Sequence, residues 1–191
     1  MSAAADLRRS PLRDVALPAG LREIPFLAQL DVRVDPGEAA ARGAVESVVG
    51  ALPVEPNTVY GDDAGAVLWL GPDEWLVIGP AGTAADLEAQ LRAAIASAGA
   101  AERVAIVDVS ANRTTLELDH ERAREILSGG CPIDLHPRVF GPGRCAQTLV
   151  ARANVVLWQL ADGAGGAPRY RLLVRPSFAA YLAAWLGDAI G

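Results

Sequence analysis

Lysine is absent from this chain, and several other reactive residues are scarce. The 191 residues include 17 basic residues, all of them arginine, with two histidines, two cysteines and one methionine. Without lysine, the chain cannot form a Schiff base with a carbonyl cofactor or supply the lysine of a phosphate-binding P-loop. Two cysteines do not make the disulfide framework of a small secreted domain. These absences exclude several common catalytic mechanisms.

Long apolar runs and an excess of positive charge are also missing. The longest uncharged stretch, 176–187, is shorter than the ~20 apolar residues that cross a bilayer, so we expect no membrane helix. A net charge of −6 and a pI of about 4.9 argue against a nucleic-acid groove. The first residues lack the apolar core of a signal peptide. We therefore expect a cytoplasmic protein that binds neither membrane nor nucleic acid.

The remaining composition is that of an ordinary globular domain. Apolar residues make up 51% of the chain and charged residues 21%, close to the usual mixture. The length suits one compact domain, or two small subdomains that share a core. We divide the chain into an N-terminal arm at 1–25, a first half at 26–110 and a second half at 111–191, which together form one compact unit.

Hydrophobic periodicity in the first half predicts a β-α-β-β-α-β order, the ferredoxin-like pattern. Leu30, Val32 and Val34 alternate with polar residues, which is typical of a half-buried strand. Further along the chain, two apolar runs flank a Gly-Pro-Asp-Glu turn and predict a hairpin. The predicted elements are strands at 30–34, 66–70 and 75–78, helices at 37–51 and after Thr83, and a buried strand at 103–109.

The second half repeats the first in element order alone, so we predict an α+β fold of two joined ferredoxin-like (βαββαβ-type) halves. Leu116 and Leu118 should face the core, and Asp119 should cap the helix that follows. The predicted elements are strands at 113–118, two within 146–160 and one at 169–174, and a last helix capped by Ser177. A predicted core stripe on that helix contains Phe178, Tyr181, Leu182, Trp185, Leu186 and Ala189.

One loop, "GGCPIDLHPRVFGPGRC" at 129–145, gathers most of the reactive side chains. Cys131, Asp134, His136 and Cys145 could supply four zinc ligands, but their spacing matches no common zinc pattern. Cys131 could act as a nucleophile with His136 as its base, but a small buried cysteine is the more common role. Recognition of a partner surface is the third interpretation, and it fits best.

The rigidity of this loop favours recognition. Prolines and glycines fix its course, and a long loop without secondary structure inside a compact domain is usually functional. It should present Asp134, His136, Arg138 and Arg144 to a partner. We therefore predict these four side chains as interface contacts.

Two polar turns are weaker candidates for chemistry. Asp73 and Glu74 are adjacent carboxylates in a hairpin turn, and such neighbours usually point apart into water rather than share acid–base work. Asp108, Asn112 and Arg113 lie in a polar segment between two predicted strands. They could bind a small ligand or satisfy the hydrogen bonds of their own turn.

Four longer segments resemble a known family. They are "LGPDEWLV", "VDVSANRTTLEL", "RAREILSGGCPIDLHPRVFGPGRCAQTLVARANVVLW" and "LLVRPSFAAYLAAWL". Together they are similar to the gamma subunit of bacterial heterotetrameric sarcosine oxidase, and the likeness runs from about residue 66 to the end. The combination of "GCPIDLHPR" with "PGRCAQT" is the most specific part.

The resemblance implies a fold similar to the folate-binding part of the glycine-cleavage aminomethyltransferase. It also implies a complex with alpha, beta and delta subunits that oxidises sarcosine to glycine and produces hydrogen peroxide. With tetrahydrofolate, that complex yields 5,10-methylenetetrahydrofolate. FAD, FMN, NAD and zinc are expected in the partner subunits, and this chain should be an assembly subunit that holds no catalytic residue, cofactor or metal of its own.

An independent tetrahydrofolate-binding module is the alternative. In that case Asp108, Asn112 and Arg113 are the candidate folate contacts. An independent aminomethyl-transferring enzyme fits less well, because the chain is too short for the additional domains of that enzyme.

Overall fold

The computed structural model describes residues 8–191, which form ten β-strands and four α-helices. The strands are Leu21–Ile24 (β1), Ala28–Val34 (β2), Val59–Asp62 (β3), Gly65–Gly71 (β4), Glu74–Gly79 (β5), Val104–Asp108 (β6), Thr114–Asp119 (β7), Cys145–Val150 (β8), Ala153–Gln159 (β9) and Arg169–Val174 (β10). The helices are Ala39–Val49 (α1), Ala84–Ser97 (α2), Ala123–Ser128 (α3) and Pro176–Ile190 (α4). No helix within the described part of the chain is long and apolar enough to cross a membrane.

The strands form two antiparallel sheets of five strands each. The first has the order β3-β4-β5-β2-β6, and the second has the order β1-β7-β10-β9-β8. The two orders are equivalent. The first strand of each half, β2 or β7, lies second from one edge of its sheet. The strand that follows the first helix of the half, β3 or β8, lies at the opposite edge. The α+β fold with two similar halves is therefore confirmed. The predicted β-α-β-β-α-β order of the first half is wrong by one strand, because β3 lies in a short polar segment where no strand was predicted.

The outermost strand beside that first strand has a different origin in the two halves. In the first half it is β6, which follows α2. In the second half β1 from the N-terminal arm takes the place beside β7. No strand was predicted in the arm, because residues 1–25 show no clear hydrophobic period and the four residues of "LREI" are too few to show one. The arm thus completes the second sheet.

The sheets pack face to face, and the helices cover their outer faces. Leu68, Leu76 and Trp158 belong to the apolar cluster between the two sheets. A second cluster includes Val45 and Leu91 from α1 and α2, and a third cluster contains the buried side of α3 and α4. The molecule is a four-layer α-β-β-α sandwich, so each sheet is buried on both faces.

Some element boundaries differ from the predicted ones. β7 extends through Asp119, so α3 begins later and its N-cap is Arg122 instead of Asp119. Pro176 is the first residue of α4, a position that proline favours because it needs no N–H there. Ser177 therefore lies inside the helix and is not its cap.

Two apolar segments are less buried than the sequence suggested. β6 is an edge strand in which Ile106 is buried and Val107 is exposed. On α4, Phe178 and Tyr181 are partly exposed and contact each other edge to face, although the stripe prediction placed both in the core. The face of the helix that packs against the sheet consists of Ala179, Leu182, Ala183 and Leu186.

Candidate functional site

The loop at 129–145 is fixed from below by apolar side chains. Cys131, Leu135 and Phe140 are buried in the core under α3 and α4. The Phe140 ring stacks on Tyr170 of β10, with ring centres 6.5 Å apart. Backbone N–H groups of Gly130 and Cys131 donate to the carbonyl of Leu127 and end α3. The loop consequently has one defined course over the surface.

Its exposed side carries three of the four predicted contact residues. Asp134, His136 and Arg138 are exposed. The Asp134 carboxylate accepts a hydrogen bond of 2.8 Å from the His136 amide, and His136 Nδ1 accepts one of 3.2 Å from the Arg138 amide. Within residues 8–191 the Arg138 guanidinium has no hydrogen bond or ion pair. Two side chains thus shape the loop, and the third extends freely from it beside the exposed Val139.

Arg144, the fourth predicted contact residue, is turned toward the first half. Its guanidinium pairs with Glu55 at 2.7 Å, and 34% of its side chain is exposed. Its backbone forms an isolated bridge with Thr58, and the Val59 amide donates to the Gly143 carbonyl. The end of the loop therefore ties the two sheets together, and Arg144 already has a partner within the chain.

The two cysteines lie in separate apolar surroundings. Cys131 Sγ is 3.9 Å from Thr148 Oγ1, and Cys145 Sγ lies 3.5 Å from the carbonyl oxygens of Thr58 and Trp69. Burial raises the pKa of the Cys145 thiol to about 12, so this thiol is protonated at neutral pH. No group of three or more His, Cys, Asp or Glu side chains is placed to hold a metal in the part of the chain that the structure describes.

The adjacent carboxylates of the β4–β5 turn share a cationic partner. Arg33 lies 3.1 Å from Asp73 and 3.6 Å from Glu74. Burial, together with the neighbouring Asp31, raises the pKa of Glu74. The pair is held as a surface ion-pair group at the end of the hairpin.

The polar segment between β6 and β7 satisfies its own turn. Asp108 accepts hydrogen bonds from the backbone and hydroxyl of Ser110, at 2.9 and 2.6 Å. The Ser110 hydroxyl oxygen accepts from the Gln29 amide, and the Asn112 amide donates to the Val109 carbonyl. The turn interpretation is thus correct for the backbone, while the side chains of the segment also reach a cavity.

This cavity, which we name the arm cavity, has a volume of about 560 Å³. The structure brings Asp108 and Arg113 together in its wall, whereas Asn112 does not line it. Sequence reasoning missed the other walls, since they come from distant parts of the chain. They are Arg8, Arg9, Pro11 and Phe26 of the arm and its continuation, Gly82, Ala84 and Ala85 at the start of α2, and Pro176 at the start of α4.

A buried charge cluster was also missed. Glu117 of β7 is fully buried between the sheets, and Arg171 is almost fully buried beside it. The Glu117 carboxylate accepts from Arg22 at 2.6 Å, Arg171 at 3.0 Å and Arg169 at 3.3 Å. Arg169 also pairs with Asp63, in the β3–β4 turn of the other sheet. We call these five residues the Glu117 cluster; it connects three strands of the second sheet to the first.

The sequence contained a signal for this cluster that alternation alone misassigned. In "TTLEL" the residues opposite Leu116 and Leu118 are Thr115 and Glu117, which a half-buried strand would turn to water. The second sheet is instead covered on both faces, so Glu117 is enclosed. Arginines on the adjacent strands satisfy it, because a buried carboxylate needs such partners.

Comparison with known proteins places this geometry in a family. The model of the "Sarcosine oxidase, gamma subunit family" matches residues 33–191. The sarcosine oxidase subunit gamma of Corynebacterium sp. (strain P-1) is 41% identical over 171 residues, which cover 89% of this chain and 79% of that protein. The Arthrobacter sp. subunit gamma is 39% identical over 194 residues, covering 96% and 90%.

Solved structures agree with the sequence relatives. A chain of the heterotetrameric sarcosine oxidase from Corynebacterium sp. U-96, in complex with pyrrole 2-carboxylate, matches with a TM-score of 0.82 and 36% identity over 96% of this chain and 95% of that one. The glycine cleavage system aminomethyltransferase T from Bartonella henselae matches with a TM-score of 0.61 and 14% identity, over 87% of this chain and 45% of that one. The second likeness concerns the fold alone. The family model and the relatives together show that the chain belongs to the sarcosine oxidase gamma subunit family.

Proposed function

We propose that this chain is the gamma subunit of a heterotetrameric sarcosine oxidase, and that it assembles there with alpha, beta and delta subunits. The observation that carries this proposal is the match along nearly the full length of both chains to a component of a solved heterotetrameric sarcosine oxidase. The chain is then part of an oxidoreductase that acts on a small N-methyl amino acid.

In this proposal the redox chemistry belongs to the partner subunits. They bind FAD, FMN, NAD and zinc, and the complex converts sarcosine to glycine with hydrogen peroxide as a product. With tetrahydrofolate as co-substrate, the one-carbon unit leaves as 5,10-methylenetetrahydrofolate. A structural role for this chain is supported by the state of its reactive groups: the Cys145 thiol is buried with a raised pKa, and Glu117 is saturated by arginines. Two unpaired, buried cysteines fit a reducing cytoplasm.

The loop at 129–145 is proposed as the partner interface, with Asp134, His136, Arg138 and Arg144 as its contacts. Support comes from the contrast between its two sides: a buried anchor beneath, and the unpaired Arg138 beside the exposed Val139 above. Arginine next to apolar surface is a common composition of interface centres. The Glu55 pair of Arg144 gives that residue a second role within the chain.

Co-purification of variant complexes tests this interface. Tagged chain carrying Arg138→Ala is expressed with the partner subunits, and the partner chains recovered per tagged chain are measured at several dilutions. If Arg138 is desolvated at the interface, truncation should weaken binding about thirtyfold, the effect of ~2 kcal/mol. Arg122→Ala, another exposed arginine that pairs only within α3, is the control and should change nothing. Equal recovery of both variants would remove Arg138 from the interface.

A tetrahydrofolate-binding module is the second candidate function. The observation that favours it is the arm cavity, since two of its wall residues, Asp108 and Arg113, are candidate folate contacts. Asn112, the third candidate, is exposed. Calorimetric titration of the complex with tetrahydrofolate tests it, and equal heats for wild-type chain and an Arg113→Met variant would exclude this cavity as the folate site.

A further inference from the structure

We propose that the arm cavity binds an organic molecule with an apolar body and at least one carboxylate, held by Arg113 and the arginines of the arm. The inference deepens the second candidate function, because it concerns the same cavity, but it does not require folate and is independent of the assembly role. Four parts of the chain that are far apart in sequence form the walls: the arm, the β6–β7 connection and the first residues of α2 and α4.

The charge of the lining is opposite to that of the chain. The chain has a net charge of −6, yet Arg8, Arg9 and Arg113 line the cavity, and Asp108 is the single acid among the lining residues within 8–191. Asp108 already accepts two hydrogen bonds from Ser110. A local excess of arginine in an acidic protein attracts anions, and the guanidinium fork matches the two oxygens of a carboxylate.

Arg113 is the best placed of these cations. It is partly buried, and removal from water lowers the pKa of its guanidinium, with nearby Arg175 acting in the same direction. The charges of Asp31 and Glu74 act in the opposite direction on this pKa, but neither carboxylate forms a hydrogen bond or ion pair with Arg113. The Arg113 side chain has no hydrogen bond or ion pair with residues 8–191. A desolvated cation without a bonded counter-ion gains most when a ligand carboxylate supplies one.

The other walls suit an apolar ligand body. Phe26 lies between β1 and β2, and the Arg8 guanidinium carbon sits 5.9 Å from its ring centre. Phe26 has a φ of 61°, an unfavourable conformation for a bulky side chain, and such strained residues concentrate at ligand sites. Pro11, Ala85 and Pro176 add further apolar surface. The volume of about 560 Å³ lies in the ordinary range of small-molecule sites.

The position of the cavity follows from the doubled fold. α2 and α4 occupy equivalent places in the two halves, because each follows the central strand of its sheet, β5 or β10. Both contribute their first residues to the cavity wall. The positive ends of two long helices therefore add to the field of the arginines, and the arm that completes the second sheet closes the site.

Calorimetry on the assembled complex tests the site with defined probes. The probes are 4-aminobenzoylglutamate, which has an aromatic body and two carboxylates, its uncharged diamide, and tetrahydrofolate. Each is titrated into complexes that differ only in this chain: wild type, Arg113→Met, Ala85→Trp and the control Arg122→Met. Comparison of the complexes removes binding at sites in the partner subunits, and co-purification shows that each variant chain is still assembled.

The proposal predicts that the dicarboxylate binds the wild-type and control complexes, and binds its diamide analogue more weakly. Loss of a charged hydrogen-bonding partner should weaken binding about tenfold to a hundredfold in Arg113→Met. Ala85 is exposed and lines the cavity, so the ring added in Ala85→Trp should fill the cavity and abolish binding of the dicarboxylate without disturbing the core. Binding of the dicarboxylate but not tetrahydrofolate keeps the carboxylate site and excludes the folate role. Identical isotherms for all four complexes, or equal affinity for the diamide, would overturn the inference.

Discussion

Replacing Glu117 with glutamine should strongly destabilise the fold. The carboxylate is fully buried and accepts from three arginines, of which Arg171 has a 5% exposed side chain. Glutamine keeps the volume and one acceptor oxygen but loses the charge and the second acceptor, so Arg171 loses its buried counter-ion and is left with the Asp63 carbonyl and the Trp158 ring as its other contacts. Breaking a buried ion pair by neutralising one partner costs about 3–5 kcal/mol.

The three arginines do not contribute equally to this figure. The Arg22 side chain is 65% exposed, and an ion pair with so exposed a partner contributes at most about 1 kcal/mol. Most of the loss therefore comes from Arg171, with Arg169 between the two. For a chain of this length, each kcal/mol lowers the Tm by about 2–4 °C. We expect a Tm about 6–20 °C lower for Glu117→Gln.

Urea and thermal unfolding of the full chain, followed by circular dichroism, measure this effect. Arg22→Gln serves as a control within the cluster and should cost about 1 kcal/mol or less. Glu125→Gln is a control outside it, because Glu125 forms an exposed pair with Arg122. A loss below ~1 kcal/mol for Glu117→Gln, equal to that of the controls, would refute the claim that this cluster holds the two sheets together.

The other predictions concern pH, two glycines and one thiol. Burial alone would raise the pKa of Glu117, but hydrogen bonds from its arginine partners outweigh it and lower that pKa. The wild-type chain should therefore keep its full stability advantage over Glu117→Gln above about pH 5, and this advantage should shrink as the pH falls below ~4.3, the pKa of glutamate in the unfolded chain. A difference between the two urea midpoints that stays constant from pH 3 to 7 would contradict this. Gly61→Ala should lower the free energy of unfolding, because Gly61 has a φ of +99° and an added Cβ would lie 2.3 Å from the Gly65 carbonyl oxygen. In Gly43→Ala, in α1, the added Cβ meets nothing within 4 Å, so this variant should raise the free energy of unfolding by about 0.5–1 kcal/mol. An equal change of the two variants in urea unfolding would be inconsistent with these environments. Cys145, with a thiol pKa of about 12, should resist alkylation by iodoacetamide at pH 8 in the native protein and react in urea, as mass spectrometry would show; fast native labelling would contradict its burial.

Local periodicity was enough to predict most of the elements. The hairpin of β4 and β5 lies where two apolar runs around a turn predicted it, and α2 begins directly after Thr83, as predicted. These patterns involve residues within a single helix or hairpin, so they can be read from a short stretch of sequence. The α+β fold with two related halves follows from their order.

The interactions that the sequence did not predict are long-range. β1 is too short to show a period, and its strand role depends on the free edge of β7, about ninety residues away. Glu117 looked like a solvent-facing residue because alternation does not reveal that a second sheet covers that face. Arg8 and Phe26 had no local signal for a cavity wall, since the cavity forms only when the arm folds against α2 and α4.

The candidate contact residues show the same division. The loop course set by prolines and glycines was predictable, and Asp134, His136 and Arg138 are exposed on it. The pairing of Arg144 with Glu55 was not, because it connects residues from different halves. Exposure alone does not identify a partner surface, so the interface stays a prediction.

The assembly role is tested most directly by isolating the tagged chain from its native source at low dilution. We predict that three companion chains co-purify with it in equal amounts, and that the isolate produces hydrogen peroxide when sarcosine is added. A chain recovered alone, in an isolate without sarcosine-dependent peroxide, would contradict the account.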